Sequence, residues 1–132
     1  MRLIAGLSFA LLATTALAQT PPAPTRTIVQ TFTDAAAPNT TVAIAKADCV
    51  AGAVLPMHTH PGEESGVVAT GTLRIEMPGK PTLILHAGDS YLIPRGQPHQ
   101  PSAPEGETHV IATFVTDKDK PLATPFPAPA AK

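Results

Sequence analysis

The chain has no tryptophan, one tyrosine and four phenylalanines among 132 residues, and only 14% of its residues are charged. So few aromatic rings offer little surface for stacking on nucleic-acid bases. Nine basic residues are balanced by ten acidic ones, which excludes the basic patch that binds nucleic acid. The length suits one ordinary domain and is too short for two. We therefore expect a single domain with no nucleic-acid partner.

Cysteine is almost absent as well. The single cysteine, Cys49, excludes an internal disulfide. We interpret Cys49 as a small, buried, apolar residue, and a reactive thiol or an intermolecular disulfide is the alternative.

The first 18 residues have the three-part pattern of a secretory signal peptide. Arg2 supplies the basic start, Leu3 to Ala13 form an apolar run, and small residues stand at Ala16 and Ala18. Cleavage is expected between Ala18 and Gln19, which predicts an exported, periplasmic or secreted protein with no membrane contact after cleavage. The apolar run is short for a membrane span, so a retained anchor is the weaker interpretation.

Proline-rich segments lie at both ends of the mature chain. Residues 19–38 begin with QTPPAPT, and residues 119–132 contain PLATPFPAPAAK. Proline lacks the amide proton that a sheet interior needs, so both segments are predicted to lie outside the main domain, residues 39–118. The C-terminal tail is expected to be solvated or to lie along the domain.

Between these segments, short β-rich runs alternate with turn residues, and no window has a helical period. The run from Leu73 to Met77 alternates apolar residues with Arg74 and Glu76, as in a half-buried strand. Many short strands of this kind predict an all-β sandwich or barrel. The other predicted strands are Thr41–Ala47, Val67–Thr70, Thr82–Leu85, Tyr91–Ile93 and Thr108–Val115.

Four residues form a candidate metal site. His58 and His60 are two positions apart, so in an extended segment both rings point to the same face. Glu64 continues the same parity, and Gly66 would leave space beside a metal. His99 lies far along the chain, in PRGQPHQ. Three imidazoles and one carboxylate suit manganese, iron, cobalt, nickel, copper or zinc and leave coordination positions open.

The spacing of these residues resembles the two motifs of the cupin superfamily. The asparagine that often follows the second motif is replaced by Ala103, which affects the loop more than the metal site. The matching positions are Gly52, His58, His60, Glu64 and Gly71 in the first motif, and Gly88, Pro94, Gly96 and His99 in the second.

The resemblance implies a single-domain cupin β-barrel, a double-stranded jelly roll, with one divalent transition metal on His58, His60, Glu64 and His99. It also implies a homodimer. Glu64 is preferred to Glu63 as the ligand because only Glu64 keeps the six-residue gap to Gly71.

Three residues remain candidates for supporting roles beside the ligands, and no catalytic residue can be assigned. Glu63 could reach the barrel mouth, although a solvated carboxylate is the default. His109 would face the barrel interior if Val110 and its alternate neighbours faced outward, and an exposed position is the alternative. Tyr91 is the third candidate.

The resemblance implies a metal-dependent enzyme acting on a small organic molecule, with oxygenase chemistry as the first expectation. Lyase, decarboxylase or isomerase activity is the alternative within the same class. A non-catalytic periplasmic protein that binds or senses a metal or small ligand is the alternative from another class. The expected apolar pocket walls favour a small aromatic or aliphatic substrate over a sugar or phosphate. These wall residues are Met57, Val68, Leu73, Ile75, Tyr91 and Phe114.

Overall fold

Ten β-strands and no helix make up residues 19–127, the part of the chain that this computed structural model describes. The prediction of an all-β fold is confirmed. No helix within those residues has the length and hydropathy to cross a membrane. The signal-peptide prediction concerns residues 1–18, which lie outside this range. The strands are β1 (Thr25–Phe32), β2 (Thr40–Cys49), β3 (His58–Thr59), β4 (Gly62–Thr70), β5 (Thr72–Glu76), β6 (Leu83–His86), β7 (Ser90–Ile93), β8 (Gln100–Ser102), β9 (Thr108–Asp117) and β10 (Thr124–Pro125).

The strands form three antiparallel sheets. The largest has the order β1-β2-β9-β4-β7, a second has the order β6-β5-β8, and β10 pairs with β3. The chain crosses between the two larger sheets several times, so that strands distant in sequence become neighbours.

Strict alternation places one face of each long strand in the interior. In β4 the buried positions are every second residue from Gly62 to Val68, and in β9 they run from Thr108 to Thr116. The main core cluster joins residues of both larger sheets, so these sheets pack face to face. Its buried members are Val68, Leu73, Ile75, Met77, Ile93 and Val110.

The five-stranded sheet also includes β1. The sequence prediction places these residues in the proline-rich N-terminal segment 19–38. β1 is an edge strand paired only with β2, and a register shift falls between Ile28 and Gln30. Such a bulge breaks the two-residue alternation by which strands are found in a sequence. That is why TRTIVQTF gives no clear strand signal.

The C-terminal segment lies along the barrel. Thr124 and Pro125 pair with β3, and the Phe126 amide donates a hydrogen bond to the carbonyl of Met57. Proline is tolerated here because the two-stranded ladder is itself an edge. Up to residue 127, where the described part of the chain ends, this tail lies along the domain, which was one of the two expectations.

Candidate metal centre

The structure brings together the four residues that the sequence motifs single out. One ligand atom from each of His58, His60, Glu64 and His99 lies within 4.8 Å of all the others, and all four residues are buried. His58 belongs to β3 and Glu64 to β4, while His99 pairs with His58 through a bridge between their backbones. These donors could hold one metal ion.

The three histidine rings are oriented by backbone carbonyls. A carbonyl oxygen only accepts hydrogen bonds, so each Nδ1 carries the proton and each Nε2 presents a lone pair. This arrangement is typical of neutral metal-binding imidazoles. The contacts are His58 Nδ1 to Pro56 O (2.9 Å), His60 Nδ1 to Leu122 O (2.5 Å) and His99 Nδ1 to Gln97 O (3.0 Å).

The inner nitrogens fit a cation. The Nε2 atoms of His60 and His99 are buried and have no hydrogen-bond partner. They nevertheless lie 2.8 and 3.3 Å from Glu64 Oε2. Lone pairs that face a carboxylate oxygen at these distances repel it unless a positive charge lies between them. A divalent metal meets that need and the nitrogen-and-oxygen donor set suits it.

Burial also favours the neutral form of a ligand histidine. Desolvation is the main cause that lowers the pKa of His58 from 6.5 to about 4, assisted by the neighbouring His99 and His60. Burial alone would raise the pKa of Glu64, but its close contacts with His60 and His99 and the hydrogen bond from Tyr91 outweigh burial and hold that pKa well below its usual range. At neutral pH the site therefore presents a neutral His58 and an ionised Glu64 carboxylate.

Tyr91 holds the carboxylate of Glu64. Its hydroxyl donates a 2.7 Å hydrogen bond to Glu64 Oε1, leaving Oε2 toward the histidines. A Cβ atom at Gly66 would lie 2.5 to 2.6 Å from three atoms of the Tyr91 side chain. The space that Gly66 leaves is therefore occupied by the Tyr91 side chain, which lies beside the Glu64 carboxylate. Tyr91 is thus the one supporting candidate that lies in the site.

A tight turn just before His99 positions this residue in the site. The amide of Gln97 donates to the carbonyl of Pro94, and Gly96 has φ = +69°, a value that residues other than glycine rarely adopt. The Gly96 amide in turn donates to the carbonyl of His60. This hydrogen bond ties the loop of one ligand to the strand of another.

Glu63 and His109 do not enter the site. Glu63 is exposed on the outer face of β4, as alternation beside Glu64 requires. In β9 the side chains of Val110 and its alternate neighbours face inward, so the condition for an inward His109 is not met and His109 has the exposed position that was the alternative. Its side chain is 40% exposed and contacts Asp48 and Glu107.

A cavity of about 160 Å³ opens beside the donors. It exists because β2 and β9 turn small side chains inward, chiefly Ala45, Ala47 and Ala112. Of the predicted wall residues, Leu73, Ile75, Tyr91 and Phe114 line it, whereas Val68 belongs to the solid core and Met57 lines a neighbouring groove. Cys49 lines the cavity too, and burial raises the pKa of its thiol, which favours the interpretation of an inert residue.

Sequence reasoning missed Arg26 and Leu122. Arg26 lies on β1 and lines the cavity, and the Leu122 carbonyl accepts the hydrogen bond from His60. A backbone acceptor leaves no signal in side-chain identity. Arg26 could have been noticed only if TRTIVQTF had been predicted as a strand facing the barrel.

Comparison with known families agrees with this geometry. The family model described as a cupin domain matches residues 48–116, slightly more than half of the chain. The chain therefore belongs to the cupin superfamily, and the predicted cupin jelly-roll fold is confirmed. No curated protein matches it in sequence.

Several solved structures are similar to the chain. A DMSP lyase, DddQ, from Ruegeria pomeroyi DSS-3 has a TM-score of 0.59 and 25% identity over 64% of this chain and 42% of the lyase. A recombinant oxalate oxidase in complex with glycolate has a TM-score of 0.55 and 25% identity over 64% of this chain and 45% of the oxidase. A cupin-like protein from Thermotoga maritima MSB8 has a TM-score of 0.57 and 27% identity, covering 64% of each chain. The matches span less than half of the lyase and of the oxidase.

Proposed function

We propose that this protein is a metal-dependent cupin enzyme that oxidises a small organic molecule with molecular oxygen. The observation that carries the proposal is the set of buried, inward-facing lone pairs beside an apolar cavity. Neutral imidazole nitrogens and a carboxylate converge where the cavity begins, and the cavity is large enough for one small molecule.

Each residue of the site has a defined part in this proposal. His58, His60, His99 and Glu64 would hold one divalent transition metal, which supplies Lewis-acid or redox chemistry when bound. Tyr91 keeps the Glu64 carboxylate oriented through its hydrogen bond. The apolar walls exclude water and bind the substrate's hydrocarbon part.

The scarcity of proton acceptors supports oxidation. Among the described residues that line the cavity, the side chains other than the four donors are poor bases. Tyr91 donates to Glu64, and burial together with that carboxylate raises its pKa far above the usual range. The Cys49 thiol also has a raised pKa. Oxidation by a metal and oxygen does not require a side chain that accepts a proton from the substrate, whereas a base-catalysed reaction does.

A lyase reaction is the second candidate, favoured by the similarity to the DMSP lyase. The two differ in their need for oxygen. Conversion of a substrate under strict anaerobic conditions would support the lyase and contradict oxidation.

Oxygen uptake provides the main test. The mature chain is loaded separately with iron, manganese, copper and zinc and screened with small phenols, diketones and hydroxy acids in an oxygen electrode. We expect uptake with a redox-active metal and none with zinc. The double variant His60→Ala/His99→Ala should lose both bound metal and uptake. His86→Ala, which removes an exposed histidine outside the cluster, should keep both.

Ligand binding without turnover would contradict an enzymatic function. Metal-loaded protein that binds ligands tightly but converts none, with or without oxygen, would favour the non-catalytic binding or sensing role.

We propose export as well, on the basis of the signal pattern in residues 1–18. The mass of the protein recovered from the periplasm or medium tests it. A mature chain beginning at Gln19 is expected, and recovery of the full chain in the cytoplasm would contradict export.

We further propose that two copies pair through the outer face of the five-stranded sheet. Ile111 and Val115 of β9 are 47% and 39% exposed there. Lys46 lies opposite Ile111 on one side, and Glu63 lies opposite Val115 on the other. Around a two-fold axis, Lys46 of each copy can approach Glu63 of the other, which makes the face self-complementary.

A charge swap tests this pairing by light scattering. Lys46→Glu should give monomers, and Lys46→Glu/Glu63→Lys should restore the dimer. A wild-type monomer, or a dimer indifferent to both changes, would overturn this pairing.

A further inference from the structure

Arg26 places a cation at the cavity beside the donor cluster. It lies on β1 opposite Ala47 of β2, whose side chain packs against the core, so both are on the inner side of the sheet, with Arg26 exposed where it borders the cavity. Arg26 lines both the main cavity and the smaller groove next to it. It is the one cationic side chain among the described residues lining the main cavity, apart from the histidines.

The guanidinium group is available to a ligand. Its Cζ atom lies 5.9 Å from the centre of the Phe114 ring, which supports it from one side. The ion pairs found within residues 19–127 use other groups and leave the Arg26 guanidinium without a carboxylate partner. A guanidinium has five donors in a planar fork that matches a carboxylate.

The volume of the cavity limits the size of such a ligand, and Phe114 provides an aromatic surface for it. Its volume of about 160 Å³ is close to that of an apolar cavity known to accept benzene. Phe114 is close to both groups, because its ring centre lies 5.0 Å from that of His60 and 5.9 Å from the Arg26 Cζ atom. A molecule that fills the cavity against Phe114 can therefore meet both the cation and the metal donors.

We propose that the substrate is a small organic carboxylate, whose carboxylate pairs with Arg26 and whose apolar part fills the cavity against Phe114. This assignment rests on the proposed function of the same site. Arg26 determines which molecules bind and holds them with their other end toward His58, His60, Glu64 and His99.

The test compares acids with uncharged amides of the same shape. Zinc-loaded protein is titrated by calorimetry with benzoate and benzamide, and with the smaller pair isobutyrate and isobutyramide. Zinc supports binding without oxidation, so the readout does not depend on turnover. We expect at least one acid to bind about tenfold or more tightly than its amide.

Two arginine variants locate the cause of any preference. Arg26→Met keeps the apolar stem and removes the charge, and should weaken binding of the acid by about 10- to 100-fold while leaving the amide unchanged. Arg26→Lys should restore part of the loss. Arg74→Met, at an exposed arginine paired with Glu76, should change neither affinity.

The other outcomes overturn the assignment. If acid and amide weaken together in Arg26→Met, the side chain only covers the cavity. If the acid is unaffected, the carboxylate binds elsewhere, for example at the metal. If neither acid binds to the wild type, a carboxylate substrate is wrong. Selective acid binding to the zinc-loaded protein, with no oxygen uptake when iron, manganese or copper is bound instead, would contradict oxidation and leave the role of Arg26 standing.

Discussion

The hydrogen bond from Tyr91 to Glu64 allows a quantitative prediction from a single atom. Tyr91→Phe removes the hydroxyl and keeps the ring that fits beside Gly66. Glu64, only 8% exposed, then loses a 2.7 Å hydrogen bond to its ionised carboxylate. Water has little access to replace that donor.

The magnitude follows from the charge and burial of the acceptor. Losing a hydrogen bond to a charged group costs about 1.5–3 kcal/mol of unfolding free energy. For a domain of this size, each kcal/mol lowers Tm by about 4 °C, so metal-free protein should melt about 6–12 °C lower. The affinity for metal should fall by about 10- to 100-fold because the carboxylate is no longer held toward the histidines.

Thermal unfolding of the metal-free protein and zinc titration against a competing chelator measure these two quantities. Ser65→Ala is the matched control, because Ser65 is on the same strand but faces outward. Tyr91→Phe with a Tm within 2 °C of wild type and less than a threefold change in affinity would refute the role of Tyr91, the 2 °C limit being about 0.5 kcal/mol.

Three further predictions follow from neighbouring contacts. Gly66→Ala should destabilise the protein by about 1–3 kcal/mol in chemical denaturation, because the added Cβ overlaps the Tyr91 ring. This loss of stability should be smaller in a Tyr91→Leu background. Equal losses in both backgrounds would contradict the contact. Deleting residues 121–132 removes the Leu122 carbonyl that orients the His60 ring. Zinc binding should weaken by about 10-fold or more in the same chelator competition. An unchanged affinity would contradict the role of the Leu122 carbonyl. The hydrogen bond to Asp48 raises the pKa of His109 above 6.5, so the stabilisation from this pair is present below pH 6.5 and lost as the pH rises past the raised pKa. His109→Gln should therefore lower Tm more at pH 5.5 than at pH 8.5, and an equal or opposite difference would reject the pairing.

The central barrel and the donor set could be predicted because they depend on strand alternation and on fixed spacings. Alternation in Leu73 to Met77 marks a half-buried strand, and the spacing of His58, His60 and Glu64 places three donors on one face. His99 could be added only through its family motif, since no local periodicity relates it to the other three.

The remaining features depend on contacts that a sequence pattern does not encode. The phase of β9 could be assigned to either face from the sequence, and the inward side chains of Val110 and Phe114 turn His109 outward. The sequence pattern did not predict β1 because its bulge breaks the two-residue alternation. The role of Gly66 required the position of the Tyr91 ring, which comes from a strand 25 residues away in sequence.

Two contacts of this site come from outside the family match. Residues 48–116 contain all four metal donors and Tyr91, whereas Arg26 and the Leu122 carbonyl lie before and after them. The shared core of the fold therefore contains the donors that could hold a metal and much of the apolar cavity wall, but not the cation proposed to bind a carboxylate. If Arg26 selects a carboxylate, a chain with the same central motifs and an uncharged residue at position 26 would keep the metal and change the ligand. The N-terminal strand would then select the charge of the substrate, while the cavity walls set its size.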